Sequence, residues 1–256
     1  MRLVWKRRNT ERISLIGCWH IGATRAVAAV SFLALLGCAQ VAAQQIDSAA
    51  VVQLVDAAVK ARVDHVASYT VTEHYEVYRG KDEIHPAAEM TVRTLYQKDS
   101  GKSYTILSES GSKFIRTHVL RQLLDDEKQI NLPGTREHSW FTSANYAMQL
   151  KPGGIQRVDG RECLALAISP RRKATNMIEG TLWVDAKDGT IVRLEGTSTQ
   201  SPSVFTGPAQ VSRQYVNVHG FAMATEARAV SESFLLGRTT VTIEYRDYQI
   251  ELSPAR

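Results

Sequence analysis

Two spacings of apolar residues divide this chain. Val52, Val55, Val59, Val63 and Val66 recur at intervals of three and four, with Asp56, Lys60 and Asp64 on another side. That period is the stripe of an amphipathic helix. Asp47 and Ser48 stand where an N-cap is needed, so the spacing predicts a helix of about 18 residues beginning there. At residue 68 the period drops to two. Tyr69, Val71, Glu73, Tyr75 and Val77 share one face of a predicted strand over 68–79, and Thr70, Thr72, His74, Glu76 and Tyr78 share the other.

The two-residue period then returns many times. A second strand is predicted over 88–97, with Met90, Val92, Thr94 and Tyr96 in register, and a third over 103–109 after a turn at 98–102. The middle of the chain differs. Val119, Leu120, Leu123 and Leu124 have helical spacing within 116–130, and Pro133-Gly134 ends that run. Residues 139–150, anchored by Trp140, Phe141, Tyr146 and Met148, read as a second short helix. Strands resume at 155. Val158-Asp159-Gly160-Arg161 is a hairpin turn of the Asp-Gly kind, and Cys163 leads a strand with Leu164, Leu166 and Ile168. The hairpin at 179–196 turns at Asp188-Gly189. Its first strand sets Leu182 and Val184 against Thr181, Trp183 and Asp185; its second sets Val192 and Leu194 against Ile191, Arg193 and Glu195. Loops at Ser201-Pro202-Ser203 and Gly207-Pro208, and turns at His219-Gly220 and Leu236-Gly237-Arg238, separate three further strands over 210–218, 221–233 and 239–250.

The tally is roughly nine to eleven strands with two or three helices. No change of composition or flexible linker divides residues 44–256, so they are expected to form a single domain. The fold class is mainly β within α+β: a large antiparallel sheet with helices on one face. A sheet this long must curl or split, and a curled sheet has a concave face that helices can fill.

Charge changes the picture little. The formal net charge is +5, but residues 1–43 hold six of the 31 Lys and Arg and one of the 26 Asp and Glu, leaving 25 of each. The basic excess belongs to that leading segment and argues against nucleic-acid binding. Arg2, Lys6, Arg7, Arg8, Arg12 and Arg25 precede an uncharged apolar run over 26–36, which is a secretory signal pattern. Three outcomes are compatible with it. Val41-Ala42-Ala43 offers small residues for cleavage before Gln44, giving a signal peptide over 1–43 and a protein exported to the periplasm. Leu35-Leu36-Gly37-Cys38 resembles a bacterial lipobox, giving a signal over 1–37 and a membrane-anchored lipoprotein lipidated on Cys38. The apolar run left uncleaved is long enough to span a bilayer. The cysteines are Cys18, Cys38 and Cys163, so cleavage after Ala43 leaves Cys163 alone and no internal disulfide.

Candidate chemistry is sparse. His65, His74, His85, His118, His138 and His219 have no ligand-like spacing, so no metal and no cofactor is expected. Cys163 reads as a small buried apolar residue, and no serine stands in a nucleophile elbow, so no catalytic residue is expected. Glu73 lies on an apolar face between Val71 and Tyr75. A carboxylate there needs a partner or a raised pKa, as a structural ion pair or as a contact to a ligand head group. Arg171-Arg172-Lys173 is either a solvated loop or a contact to anionic head groups.

One resemblance adds to this reading. Asn145-Tyr146, Val158-Asp159-Gly160-Arg161-Glu162-Cys163, Ile168-Ser169-Pro170-Arg171-Arg172-Lys173, Gly180-Thr181-Leu182-Trp183-Val184-Asp185, Ile191-Val192-Arg193-Leu194-Glu195-Gly196 and Ser201-Pro202-Ser203 together resemble bacterial exported proteins of the LolA-like group, often labelled outer-membrane lipoprotein-sorting proteins. The resemblance covers 145–205 by motif and 47–250 by order of elements. It implies an unclosed β-barrel wrapped over helices with an apolar cavity between them. It further implies a partner that is a lipid or an acylated protein, or, as in the RseB-type relatives, an envelope protein bound by a sensor or regulatory module. Combined with the strand patterns, the expected cavity face is Val71, Tyr75, Val77, Val92, Leu164, Leu166, Leu182, Val184, Val192 and Leu194.

Overall fold

The computed structural model describes residues 46–174, 176–200, 208–233 and 237–254. The leading segment with Cys18, Cys38 and Ala43, the loop at 201–207 and Leu236 lie outside the described residues. The first element is α1 (Ser48–His65), capped by the Asp47 side chain, which accepts from the Ala49 N–H at 2.9 Å. Val66, assigned by its spacing to the helical stripe, instead begins β1 (Val66–Arg79). β2 (Ala88–Gln97) and β3 (Gly101–Gly111) follow as a meander. The chain then enters a helical segment: α2 (Lys113–Ile115), a π-helical turn (Arg116–Leu120) and α3 (Arg121–Ile130), followed by a 3-10 turn (Arg136–Ser139).

The rest is strand: β4 (Tyr146–Leu150), β5 (Gln156–Val158), β6 (Arg161–Pro170), β7 (Ile178–Asp185), β8 (Ile191–Ser198), β9 (Gln210–Val218), β10 (Phe221–Ser233) and β11 (Gly237–Leu252). The helix expected over 139–150 is therefore corrected to a 3-10 turn, a loop and a strand. Tyr146, Met148 and Leu150 alternate with the more exposed Ala147 and Gln149, and this two-residue period pairs with β6.

Among the described residues eleven strands form one sheet, ordered β3-β2-β1-β11-β10-β9-β8-β7-β6-β4, with β5 also on β6. Each pairing is antiparallel, and the one long-range pairing joins β1 to the C-terminal β11. The edges β3 and β4 do not pair, so the barrel is unclosed. Register shifts interrupt β1–β11, β2–β3, β7–β8 and β9–β10, and each bends its strand and deepens the curl. The helical segment that joins the edge strands β3 and β4 packs on β1 and β2.

Two turns set the hairpins. Asp159 and Gly160 take φ of 49° and 81°, the primed turn that suits the twist of paired strands. Gly189, at φ 71°, closes β7 onto β8 and lies directly against α1: a Cβ there would stand 2.5 Å from the Leu54 carbonyl carbon. Only glycine meets both demands.

Three buried groups hold the layers together. Val51 and Val55 of α1 pack with Leu164, Leu166, Leu182 and Leu194 of β6–β8. Ile115, Leu120 and Leu124 of the helical segment pack with Tyr75, Val77, Met90 and Val92 of β1 and β2. Tyr69, Val71, Met223 and Tyr245 form the third group.

Candidate ligand-binding cavity

The two helical layers grip different parts of the sheet: α1 packs on β6–β8 and the α2–α3 segment on β1–β2. The middle strands β9, β10 and β11 touch these layers at Tyr215, Ala222, Val241 and Ile243 and otherwise face a gap between them. Ala222, Ala224, Ala227 and Ala229 of β10 line this gap together with Arg228, and the change of phase after Ala224 follows from the bulge at Thr225. Alanine side chains fill little of the space between sheet and helices, so the interior stays open where larger residues would close it. The result is a cavity of about 460 Å³ with a predominantly apolar lining, including Val59 and Val63 of α1, Leu123 and Ile130 of α3, and Val241 and Ile243 of β11. Its size falls within the roughly 300–1,000 Å³ of ligand pockets.

Several ionisable groups enter this apolar space. Glu73 is 2 % exposed and accepts a 2.5 Å hydrogen bond from the Tyr75 hydroxyl through Oε2, while Oε1 has no partner. It makes no ion pair among the described residues. Burial raises its pKa, and the nearby Lys102 ammonium only partly offsets this. Tyr75 itself is pushed well above the usual phenol range by burial and by the Glu73 carboxyl. Across the cavity, Lys102 of β3 pairs with Glu127 of α3. Burial disfavours both charges. The mutual attraction outweighs it, holding the Lys102 ammonium pKa up and, with the Arg213 guanidinium, the Glu127 carboxyl pKa down.

The arginines fall into two kinds. Arg136 donates to the Tyr96 hydroxyl at 3.1 Å and to the Lys98 carbonyl at 2.5 Å and pairs with Glu137 at 3.3 Å, while Arg228 pairs with Glu83 at 2.6 Å. Arg62 of α1 and Arg213 of β9 line the same cavity, yet each has a buried Nε without a hydrogen-bond partner.

Of the ten residues expected on the cavity face, Tyr75 lines the cavity. Val71, Val77, Val92, Leu164, Leu166, Leu182, Val184, Val192 and Leu194 are all buried but are not among its lining. Most of them lie under a helix, where an inward side chain packs against the layer above it; the gap belongs to other strands. Ile191, expected on the outer face, is buried and lines the cavity. The bulge that pairs Val184 with Ile191 brings it to the inner face beside Val192.

The remaining candidates are structural in their contacts. Cys163 is buried near the Val158 carbonyl, and burial raises its thiol pKa. Asp185 is held by Arg161 at 2.8 Å. Arg171 and Arg172 donate to the carbonyls of Ser143 and His138 at 2.9 and 2.8 Å, tying the loop after β6 to the segment before β4. Among the described residues no group of three or more His, Cys, Asp or Glu could hold a metal ion.

Sequence reasoning passed over Lys102, Glu127, Arg213 and the alanines of β10. The signal for the alanines was present: a strand with four inward alanines has too little bulk to fill a core. Lys102, Glu127 and Arg213 carried none, since a charged residue on a strand or helix is usually solvated.

No protein-family model and no curated protein matches the chain. Similar solved structures include a LolA superfamily protein from Nitrosomonas europaea, at 11% identity over 82% of this chain and 96% of that one, TM-score 0.43. A domain assigned to outer-membrane lipoprotein sorting from Vibrio parahaemolyticus matches at 11% identity over 82% and 94%, TM-score 0.44. A chain of the MucA/MucB complex of Pseudomonas aeruginosa matches at 14% identity over 80% and 100%, TM-score 0.24.

Proposed function

We propose that this protein is a non-enzymatic carrier of the bacterial cell envelope that shelters one acyl chain, of a lipid or of a lipoprotein, in the cavity between its curled sheet and its helices. The observation that carries this reading is the cavity of about 460 Å³ floored by the alanines of β10. Apolar surface left facing such a space keeps a hydration cost that an apolar occupant removes. A hydrocarbon chain gains about 0.8 kcal/mol for each methylene it buries there. The signal pattern of residues 1–43 supports an exported protein, in the periplasm or, through Cys38, on a membrane.

The test is titration of the delipidated protein with a polarity-sensitive fluorescent fatty acid. Saturable binding at one site, displaced by unlabelled fatty acid, is the expected result. No saturable binding, together with an envelope protein recovered by crosslinking in cells, would overturn the carrier reading in favour of a protein-binding module of the same fold.

A further inference from the structure

Five basic side chains line the cavity, Arg62, Lys102, Arg136, Arg213 and Arg228, against three carboxyl groups, Glu73, Asp126 and Glu127. Lys102 is matched by Glu127, Arg136 by Glu137 and Arg228 by Glu83. Glu73 is held by the Tyr75 hydroxyl and has no ion pair. Arg213 and Arg62 are left, and neither guanidinium has a carboxylate within ion-pair distance among the described residues. Arg213 feels the Glu127 carboxylate, but Lys102 already engages that group, so the guanidinium is incompletely compensated and a ligand that supplies further negative charge recovers part of the cost of burying it.

Arg213 is the better placed of the two. It stands on the floor of the sheet, opposite Leu194 of β8 on one side and Ala227 of β10 on the other. Ala227 is in turn paired with Ile243 of β11, and Ile243 with Tyr75 of β1. Along this row the residue next to Arg213 is therefore the smallest one available, and the long side chain has free space over it toward the middle of the cavity. Its planar fork of donors suits a carboxylate or a phosphate equally. Neighbouring Tyr215 and Tyr245 line the same cavity and help to keep the guanidinium charged.

We propose that Arg213 forms an anion subsite inside the cavity, so that the preferred cargo is an amphiphile whose ionised carboxylate or phosphate head sits on Arg213 while its chain fills the space floored by the β10 alanines. This rests on the acyl-chain reading above and adds the class of head group to it.

The test uses three molecules with one sixteen-carbon chain, hexadecanoate, hexadecyl phosphate and hexadecanol, each displacing a fluorescent fatty acid from the intact protein below its aggregation limit. Both ionised molecules are expected to bind at least about tenfold more tightly than the alcohol. The ratio between the two ionised molecules tells a carboxylate site from a phosphate site. Arg213→Met is expected to bring both down to the affinity of the alcohol while the alcohol itself is unchanged, and Arg213→Lys to keep part of the preference. Inorganic phosphate alone is expected to displace nothing. Equal binding of all three molecules by the unaltered protein would overturn the subsite and leave the acyl-chain reading intact; failure of all three to bind would overturn the acyl-chain reading itself. Loss of the preference in Arg62→Met and not in Arg213→Met would overturn the assignment to Arg213. Equal weakening of all three molecules in both Arg213 variants would make that residue structural.

Discussion

Replacing Ala229 by leucine separates an open cavity from a filled core. Ala229 lines the cavity, is paired with Val241 of β11 and Val211 of β9, and belongs to none of the three packed groups. Leucine adds three carbon atoms. If they enter empty apolar space, their burial is worth about 2.4 kcal/mol at about 0.8 kcal/mol each. Ordering the larger side chain takes back roughly 0.5–1 kcal/mol. The net gain is about 1.5 kcal/mol, or a rise of roughly 3–6 °C in the midpoint of thermal unfolding for a domain of this size. The same leucine removes space from the ligand, so a fluorescent fatty acid should bind at least about tenfold more weakly. Scanning calorimetry of the delipidated variant and a binding titration make the two measurements. A fall in the unfolding midpoint corresponding to about 1–3 kcal/mol would mean that the position is already packed and the new side chain strains it. That result would refute the reasoning from inward alanines to an open cavity.

Three further predictions follow from named contacts. Gly189→Ala puts a Cβ 2.5 Å from the backbone of Leu54 at a residue with φ 71°, so it should cost about 2–3 kcal/mol and lower the unfolding midpoint by at least about 4 °C. The raised pKa of Glu73 means that the folded state prefers the protonated acid; the penalty is absent below the unfolded carboxyl pKa and grows as pH rises through the window up to the folded value. Glu73→Gln should therefore be near neutral at about pH 4 and increasingly stabilising as pH rises, reaching a plateau, as thermal melts across pH will show. Lys102→Met strands Glu127 in the cavity and should cost about 1–2 kcal/mol, less than a sealed pair because the two side chains remain 13% and 30% exposed. Since the Glu127 pKa is lowered in the folded state, this difference is present above the unfolded carboxyl pKa and is lost as pH falls through the folded value, which denaturant titrations at several pH values can follow.

The sequence carried the parts of this fold that depend on local periodicity. Helix α1 follows from the Asp47 cap and the valine spacing, and the meander follows from two-residue alternation broken at Asp159-Gly160, Gly189 and His219-Gly220. Where a local pattern was ambiguous, tertiary pairing decided. Tyr146, Met148 and Leu150 satisfy a strand as readily as an irregular helix, and β6 supplies the ladder that selects the strand. Bulges were illegible, because a single extra residue such as Val192 leaves composition unchanged while turning Ile191 inward. The cavity was legible only in reverse. The most apolar inward positions, Leu182, Val184 and Leu194 among them, are those that pack under α1. The open space lies under the strand with the least side-chain bulk. Its charged residues come from α1, β1, β3, α3, the 3-10 turn, β9 and β10, which only the folded arrangement brings around one space.

Native mass spectrometry of the protein purified gently from an exporting host tests the central claim most directly. The carrier account predicts a species heavier than the polypeptide by the mass of one amphiphile, which is released on denaturation, identified as an anionic lipid or acylated molecule, and diminished in Ala229→Leu. Protein that is consistently empty and also fails to take up fatty acid when it is added would contradict the account.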